Sequence, residues 1–235
     1  MSTRQTTFSI LSRRALLGGM VAGLIGEPGR ARAECSVVRT RESCPSRWTY
    51  ATARRAAIPL PDGPEGEELR RWCAFALRAF EMKAELIMLS CKDEISSHYD
   101  SDSKSSDYIL VSKPEIDKMH HRYSDPGAII QGILGHECWH LAQYHDGVVT
   151  ITSRHELEAD AMAGYVLGLL KRDIDFNVNG TIRWLEVRTP PDCPGHGTAE
   201  QRHACLLWGF EYGYREGPQP LTALRSIART LSFSA

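Results

Sequence analysis

The run GHECWH at residues 135–140 combines metal-binding residue types with a metal-binding spacing. Residues four apart on a helix are separated by about 40° and about 6 Å, so His136 and His140 face the same side. Both imidazoles can then bind one zinc ion at about 2.1 Å per bond. Glu137 follows the first histidine, where a carboxylate can take a proton from bound water and deliver it to a leaving amine. The run therefore predicts a hydrolytic zinc site.

Two acidic residues farther along the chain are spaced to complete this site. Glu156 and Asp160 are four residues apart and share one helix face, whereas Glu158 points about 200° away from Glu156. We expect Glu156 to be the third zinc ligand. We expect Asp160 to accept a hydrogen bond from the outer nitrogen of a ligand histidine. The alternative interpretation is an acidic first turn in solvent, favoured by the helix dipole.

Asp146 is a rival third ligand. HExxH enzymes of the metzincin type place a glycine seven residues after the first histidine and a ligand ten residues after it. Those positions are Gln143 and Asp146 in this chain. Gln143 lacks the backbone freedom by which glycine lets the chain turn back, and Gly147 comes too late. Glu156 is therefore preferred, and Asp146 stays the alternative.

The other candidate side chains are weaker. Cys138 lies inside the motif but points away from the two histidines on a helix, which disfavours a cysteine nucleophile. Five other histidines lack a paired spacing, so we expect them to be surface or packed residues. They are His98, His120, His121, His145 and His203.

The two motifs together resemble those of the gluzincin metallopeptidases. HECWH at 136–140 and ELEADAMAG at 156–164 correspond to HExxH and ExxxD. The segment is similar to the CAAX-protease/heat-shock peptidase group and to the bacterial neutral zinc metallopeptidases, over about 109–213. A later run, HGTAEQR at 196–202, resembles the HPxxxxR segment of those families, with glycine in place of proline. The resemblance implies that His196 stabilises the tetrahedral oxyanion and that Arg202 braces the site. The alternatives are a loop histidine and a surface arginine.

The pattern around these motifs predicts a mostly helical α+β domain of the zincin-like type. Residues 34–66 are rich in Arg, Pro and Gly and predict an irregular lead-in tethered by disulfides. Residues 95–107 predict a Ser/Asp-rich loop. Helical spacing, start signals or a capping box predict four helices. They cover 67–92, 125–147, about 154–171, and the residues after 198.

Two further expectations concern packing and substrate alignment. Tyr108–Val111 predicts a short edge strand, which could hold an extended peptide by strand addition. The small residues Ala159, Ala161, Ala163 and Gly164 predict that their helix packs closely against the motif helix.

The chain has seven cysteines, at positions 35, 44, 73, 91, 138, 193 and 205. An odd number cannot all pair, and we expect Cys138 to stay free in the core. On a continuous helix over 67–92, Cys73 and Cys91 would lie about 27 Å apart, which is beyond disulfide reach. Their partners are then expected elsewhere, with Cys35 and Cys44 nearest. Cys193–Cys205 would form a third disulfide.

Residues 1–33 have the features of an export signal. Arg13-Arg14 precedes a short, glycine-diluted apolar run at 15–26, and a small-x-small cleavage site ends at Ala33. The segment looks like a twin-arginine leader. The apolar run is shorter than the roughly 20 residues that a membrane-spanning helix needs. We expect a periplasmic or secreted domain over 34–235 with no membrane span.

Composition limits the remaining function classes. The chain has 235 residues, of which 42% are apolar, enough for one domain with a substantial core. Its 28 basic and 29 acidic residues leave no basic excess, which argues against a nucleic-acid partner. The sequence thus predicts an exported zinc metalloendopeptidase acting on peptides or proteins. The alternative is a zinc-binding partner module without general turnover, but the intact Glu137 favours the enzyme.

Overall fold

A computed structural model of the chain describes residues 49–90, 95–98, 107–187 and 195–231, without the side chains of 183–187. The expected leader and most of the expected lead-in lie outside these ranges. So do Cys35, Cys44, Cys91 and Cys193.

The described residues are mostly helical, with one small sheet, as expected for an α+β domain. The helices are α1 Tyr50–Ala56, α2 Pro64–Ala79, α3 Lys113–Arg122, α4 Pro126–His145, α5 Ser153–Asp173, α6 Val178–Val187, α7 Ala199–Glu216 and α8 Leu221–Thr230. The strands are β1 Ala57–Ile58, β2 Glu85–Leu89, β3 Ser96–His98 and β4 Tyr108–Ser112. Within these ranges, no helix combines the length and apolar character needed to cross a bilayer.

The sheet has the strand order β1-β2-β4-β3. β2 and β4 are parallel, with Leu86 opposite Ile109, and β3 is antiparallel to β4, with Ser97 also opposite Ile109. All five residues of β4 are buried, as suits a strand with neighbours on both sides. The predicted strand at Tyr108–Val111 is confirmed, but the expectation that it forms an edge is wrong. β3 is the edge strand on that side.

The predicted helix over 67–92 is also wrong in its second half. α2 ends at Ala79, Glu81 takes a left-handed φ of 54°, and Met82 N donates to Leu77 O at 2.9 Å. The chain then continues as β2. The apolar residues of 85–89 fit the spacing of a helix or of a strand, and pairing with β4 makes this segment a strand. The calculated separation of Cys73 and Cys91 along one helix therefore does not apply.

Two segments expected to be irregular contain regular structure. In the lead-in, α1 begins with a capping box between Thr49 and Thr52, and β1 pairs with β2. In the expected loop at 95–107, residues 96–98 form β3. The structure also contains α3, α6 and α8, which no spacing or capping pattern in the sequence predicted.

Three helices that carry the motifs are confirmed. α4 begins at Pro126, directly after Asp125, and ends before Gly147. α5 begins after Thr152. α7 has the predicted capping box, in which Thr198 Oγ1 accepts from Gln201 N at 3.2 Å and Gln201 Oε1 accepts from Thr198 N at 2.9 Å.

The closest helix packing is between α5 and α7, and glycine makes it possible. A Cβ added at Gly209 would lie 1.7 Å from Ala161 O, and one at Gly164 would lie 2.1 Å from Leu206 O. Gly164 therefore packs against α7, not against α4 as expected. Ala163 does face α4, because a Cβ added at Gly135 would lie 3.3 Å from the Cα of Ala163.

Cys73, Cys138 and Cys205 are buried free thiols. The free state of Cys138 was expected, whereas the expected pairing of Cys73 and the Cys193–Cys205 disulfide are not found. Burial raises the pKa of Cys73 and of Cys205 to about 12 and raises the pKa of Cys138 well above its ordinary value. These thiols stay protonated and behave as small apolar groups.

The α5–α7 contact predicts a large stability difference between two glycine substitutions. Gly209→Ala should lower the free energy of unfolding by about 3 kcal/mol, because its methyl group meets backbone that cannot move without separating the helices. Gly195→Ala is the control, since a Cβ there meets nothing within 4 Å, and its change should stay within about 0.5 kcal/mol. Urea unfolding measures both. Equal stability of the two variants would contradict the proposed close contact.

Candidate metal centre

His136, His140 and Glu156 bring three potential metal ligands together between α4 and α5. The two Nε2 atoms are 3.0 Å apart, His136 Nε2 is 3.3 Å from Glu156 Oε2, and His140 Nε2 is 3.7 Å from Glu156 Oε1. Bonds of about 2.1 Å in a tetrahedral site place neighbouring ligand atoms about 3.4 Å apart. The three observed separations scatter around that value, so the triad has the dimensions of a metal site.

The outer nitrogens of both histidines face hydrogen-bond acceptors. His136 Nδ1 is 3.1 Å from Asp160 Oδ1, and His140 Nδ1 is 2.8 Å from Gln143 Oε1. The amide nitrogen of Gln143, Nε2, donates to His155 O at 3.0 Å and to Glu158 Oε2 at 3.2 Å. These two bonds orient the amide so that its oxygen faces His140. Each Nδ1 therefore carries the proton and leaves the Nε2 lone pair for a metal.

Two lone pairs that face each other across 3.0 Å need a positive charge between them. Either a proton or a bound cation can supply it. Burial opposes a charge on His136, but hydrogen bonds to Asp160 and Glu156 outweigh burial and raise the pKa of His136 to about 10. Burial likewise opposes a charge on Glu156, yet hydrogen bonds to His136 and His140 hold the pKa of Glu156 well below its ordinary value. The donor set thus fits a bound cation.

The charge of the surrounding cavity also fits a divalent cation. The cavity has a volume of about 410 Å³. Its wall includes the carboxylates of Glu137, Glu156 and Asp160 and the guanidinium of Arg202. With neutral histidines these groups sum to two negative charges, which a divalent cation would balance.

Arg202 on α7 holds Asp160 in place. Its Nε and Nη2 donate to Asp160 Oδ2 and Oδ1 at 2.6 and 2.8 Å, a two-pronged pair in which both residues are buried. Burial would raise the pKa of Asp160, but Arg202 and His136 hold it below its ordinary value. Asp160 therefore stays an acceptor for His136 Nδ1. The alternative of Arg202 as a surface residue is wrong, since Arg202 is 7% exposed.

Glu137 lies beside the triad and is held from β3. Its Oε2 accepts from Ser97 N at 2.8 Å and from Ser97 Oγ at 2.9 Å. Two donors on one oxygen limit the rotation of the carboxylate at the cavity wall. The edge strand therefore positions the acid that follows the first ligand histidine.

His196 reaches the same cavity from the loop before α7. Its Nε2 is 3.7 Å from Glu156 Oε1, and its Nδ1 is buried with no hydrogen-bond partner among the described residues. Arg202 Nη1 is a second such buried donor in the part of the chain that the structure describes. Both residues line the cavity.

The rival ligand and the histidines that lack a paired sequence spacing lie outside the triad. Asp146 contacts Arg225 Nη2 at 2.9 Å and Arg229 Nη2 at 3.4 Å, outside the triad. His145 contacts Asp107, and His98 stacks on Tyr108. None of His98, His120, His121, His145 and His203 belongs to the described metal-ligand cluster.

The sequence analysis missed two positioning residues, Gln143 and Ser97. Gln143 is three residues after His140, a spacing at which side chains on a helix are neighbours, so the contact could have been predicted. Ser97 is forty residues before Glu137 in a segment expected to be loop, and no local pattern indicated the contact.

Comparisons with known proteins add no assignment. No protein-family model matches the chain, and neither the curated proteins nor the solved structures include a match.

The geometry predicts an order of damage to metal binding. Glu156→Ala should weaken divalent-metal affinity by orders of magnitude, because it removes one of three ligands. Asp160→Asn should weaken it by about 10- to 100-fold through the orientation of His136. Asp146→Ala is the control and should leave the affinity unchanged. Competition with a chelator measures all three, and thermal melts identify unfolded variants. This ligand set would be contradicted if Glu156→Ala left the metal affinity unchanged and Asp146→Ala abolished metal binding.

Proposed function

We propose that the chain is a zinc-dependent endopeptidase that hydrolyses peptide bonds. The single observation that carries the proposal is the placement of the Glu137 carboxylate in the same cavity as His136, His140 and Glu156. A site that only binds metal has no need of a positioned acid beside its ligands. Arg13-Arg14 and the leader-like segment at 1–33 support the further proposal that the enzyme acts in the periplasm or outside the cell.

His136, His140 and Glu156 would hold the zinc ion. When bound, zinc polarises a substrate carbonyl and lowers the pKa of a water molecule to about 7. Asp160 and Gln143 keep the protons of both histidines on Nδ1, so that Nε2 can bind the metal. Two imidazoles and one carboxylate would hold the ion with three protein ligands, the number at which catalytic zinc sites still accept water or substrate.

Glu137 is the proposed general base and acid. Ser97 binds one of its oxygens through both the backbone N–H and the hydroxyl. The carboxylate is therefore oriented before substrate arrives, and it would take a proton from the attacking water and deliver it to the leaving amine. In amide hydrolysis the water oxygen bonds to the carbonyl carbon, the proton passes through Glu137 to the nitrogen, and the C–N bond breaks to give a carboxylic acid, which then ionises, and an amine.

His196 is the proposed oxyanion-stabilising residue. It lines the cavity on the side of Glu156, and its side chain is 41% exposed, which leaves it accessible to substrate. A cationic or N–H-donating imidazole there would stabilise the negative oxygen of the tetrahedral intermediate.

We propose that an extended peptide lies along β3. The cavity wall includes Ser96 and Ser97, and β3 is bonded to β4 on one side. A peptide added to the opposite side of β3 would pass next to Glu137. This replaces the sequence-based proposal of strand addition at Tyr108–Val111.

Glu137→Gln tests the enzymatic function. The amide keeps the size of the side chain but cannot accept the proton, so the rate of peptide hydrolysis should fall at least about 100-fold with metal content unchanged. Glu211→Gln on the exposed face of α7 is the matched control and should keep full activity. A peptide-library digest with the zinc-loaded protein gives the measurement. Zinc binding without any cleavage by the unaltered protein would instead indicate the metal-binding partner module.

Ser97→Ala tests the positioning of Glu137. It removes one of two hydrogen bonds to a charged group, so kcat should fall about 10-fold while KM and zinc content change little. Ser97→Thr keeps the hydroxyl and should restore kcat. Ser96→Ala provides the comparison, since the Ser96 hydroxyl is 3.0 Å from His98 Nε2, and its loss should be smaller. Equal rates for Ser97→Ala and the unaltered protein would show that the hydroxyl has no role.

A further inference from the structure

A second cavity, separate from the metal triad, lies where the end of α4, the start of α5 and α8 meet. It has a volume of about 240 Å³. Three arginines line it, Arg154 from α5 and Arg225 and Arg229 from α8, together with Asp146 and the indole of Trp139. The wall also includes Gln143 and Glu158, which orient His140, whereas the three arginines, Asp146 and Trp139 have no part in the proposed peptidase reaction.

The cavity has an excess of positive charge. Asp146 is shared between two guanidinium groups, because Oδ1 is 2.9 Å from Arg225 Nη2 and Oδ2 is 3.4 Å from Arg229 Nη2. Arg154 Nε donates to Glu158 Oε1 at 3.1 Å. Three guanidinium groups thus face two carboxylates, which leaves one positive charge for an additional anion.

Two buried donors in the cavity wall lack an acceptor. Trp139 is 2% exposed, and its indole Nε1 has no hydrogen-bond partner among the described residues. Arg225 Nε is likewise buried and without an acceptor in the described part of the chain. Both groups can only donate, and a buried donor without a partner destabilises the fold. Both residues line the cavity.

We propose that this cavity, defined by Trp139, Arg154, Arg225 and Arg229, is a binding site for a small oxyanion of the carboxylate or phosphate class. Oxygen anions accept from guanidinium and indole N–H groups, and the arginine excess supplies the opposite charge. The volume is below the roughly 300 Å³ at which pockets for drug-sized ligands begin, so the ligand is small. Arg154 and Arg229 have side chains 57% and 69% exposed, which gives the ion a route from solvent.

Titration calorimetry of the full chain with inorganic phosphate and, separately, with acetate tests the site. Sodium chloride keeps the ionic strength constant, so that general screening does not imitate binding. We expect saturable binding of one ion per chain for at least one probe. Binding of phosphate alone, or of acetate alone, identifies the class of ligand. The absence of saturable binding of both probes up to about 10 mM would overturn the proposal and indicate that water satisfies the two donors.

Two variants separate a built site from general surface charge. Arg225→Gln removes a charge and the unpaired Nε, and Trp139→Phe removes the indole N–H together with part of the ring volume, while keeping an aromatic ring near Phe80, whose ring centroid is 5.5 Å away. Each variant should bind the anion at least about 10-fold more weakly than the unaltered protein. Arg215→Gln, exposed on α7, is the matched control and should bind as the unaltered protein does.

Circular dichroism and thermal melts show whether each variant is folded. Because the two variants lie on different helices, one folded variant is enough for the test. Unchanged affinity in a folded Arg225→Gln or Trp139→Phe protein would contradict the site, as would equal weakening by Arg215→Gln. The readout needs neither metal nor peptide hydrolysis, so failure of this proposal is distinguishable from failure of the proposed enzymatic function.

Discussion

The buried ion pair between Asp160 and Arg202 joins the packing of the helices to the chemistry of the cavity. Asp160 is on α5, Arg202 is on α7, and the same carboxylate accepts from His136 on α4. Removing one partner of such a pair typically costs about 3–5 kcal/mol, because the other charge stays buried without compensation. The three helices therefore have to meet at this point. The glycines between α5 and α7 serve that requirement by letting the two backbones approach each other.

Within this frame, the metal triad is organised by hydrogen bonds to groups that do not bind metal. Asp160 and Gln143 select the tautomer of the two histidines, and the repulsion between the facing Nε2 atoms is relieved only by a proton or a cation. The surplus of negative charge in the cavity acts in the same direction. The proposed metal binding and the helix packing are thus coupled through Asp160, which takes part in both.

The sheet contributes less of the core than the helices do, but it supplies one wall of the site. β3 is short and lies at the edge, and through Ser97 it reaches the acid next to the first ligand histidine. A substrate aligned on this strand would lie beside both the proposed base and the proposed metal. The second, arginine-lined cavity lies against a neighbouring face of α4. Trp139 and Asp146 line that cavity, whereas the ligand histidines of α4 face the metal triad.

The sequence by itself determined the local features of this protein. The spacing of His136 and His140 and that of Glu156 and Asp160 place each pair on one helix face, and the capping residues around 125 and 198 mark where helices begin. These features depend on residues within one or two helical turns. Tertiary structure decided the rest. Residues 85–89 fit a helix or a strand until β4 pairs with them, and Gly164 could face either neighbouring helix until α7 packs against it. The contact between Ser97 and Glu137 spans forty residues, and such contacts depend on how the whole chain folds back, which no local periodicity encodes.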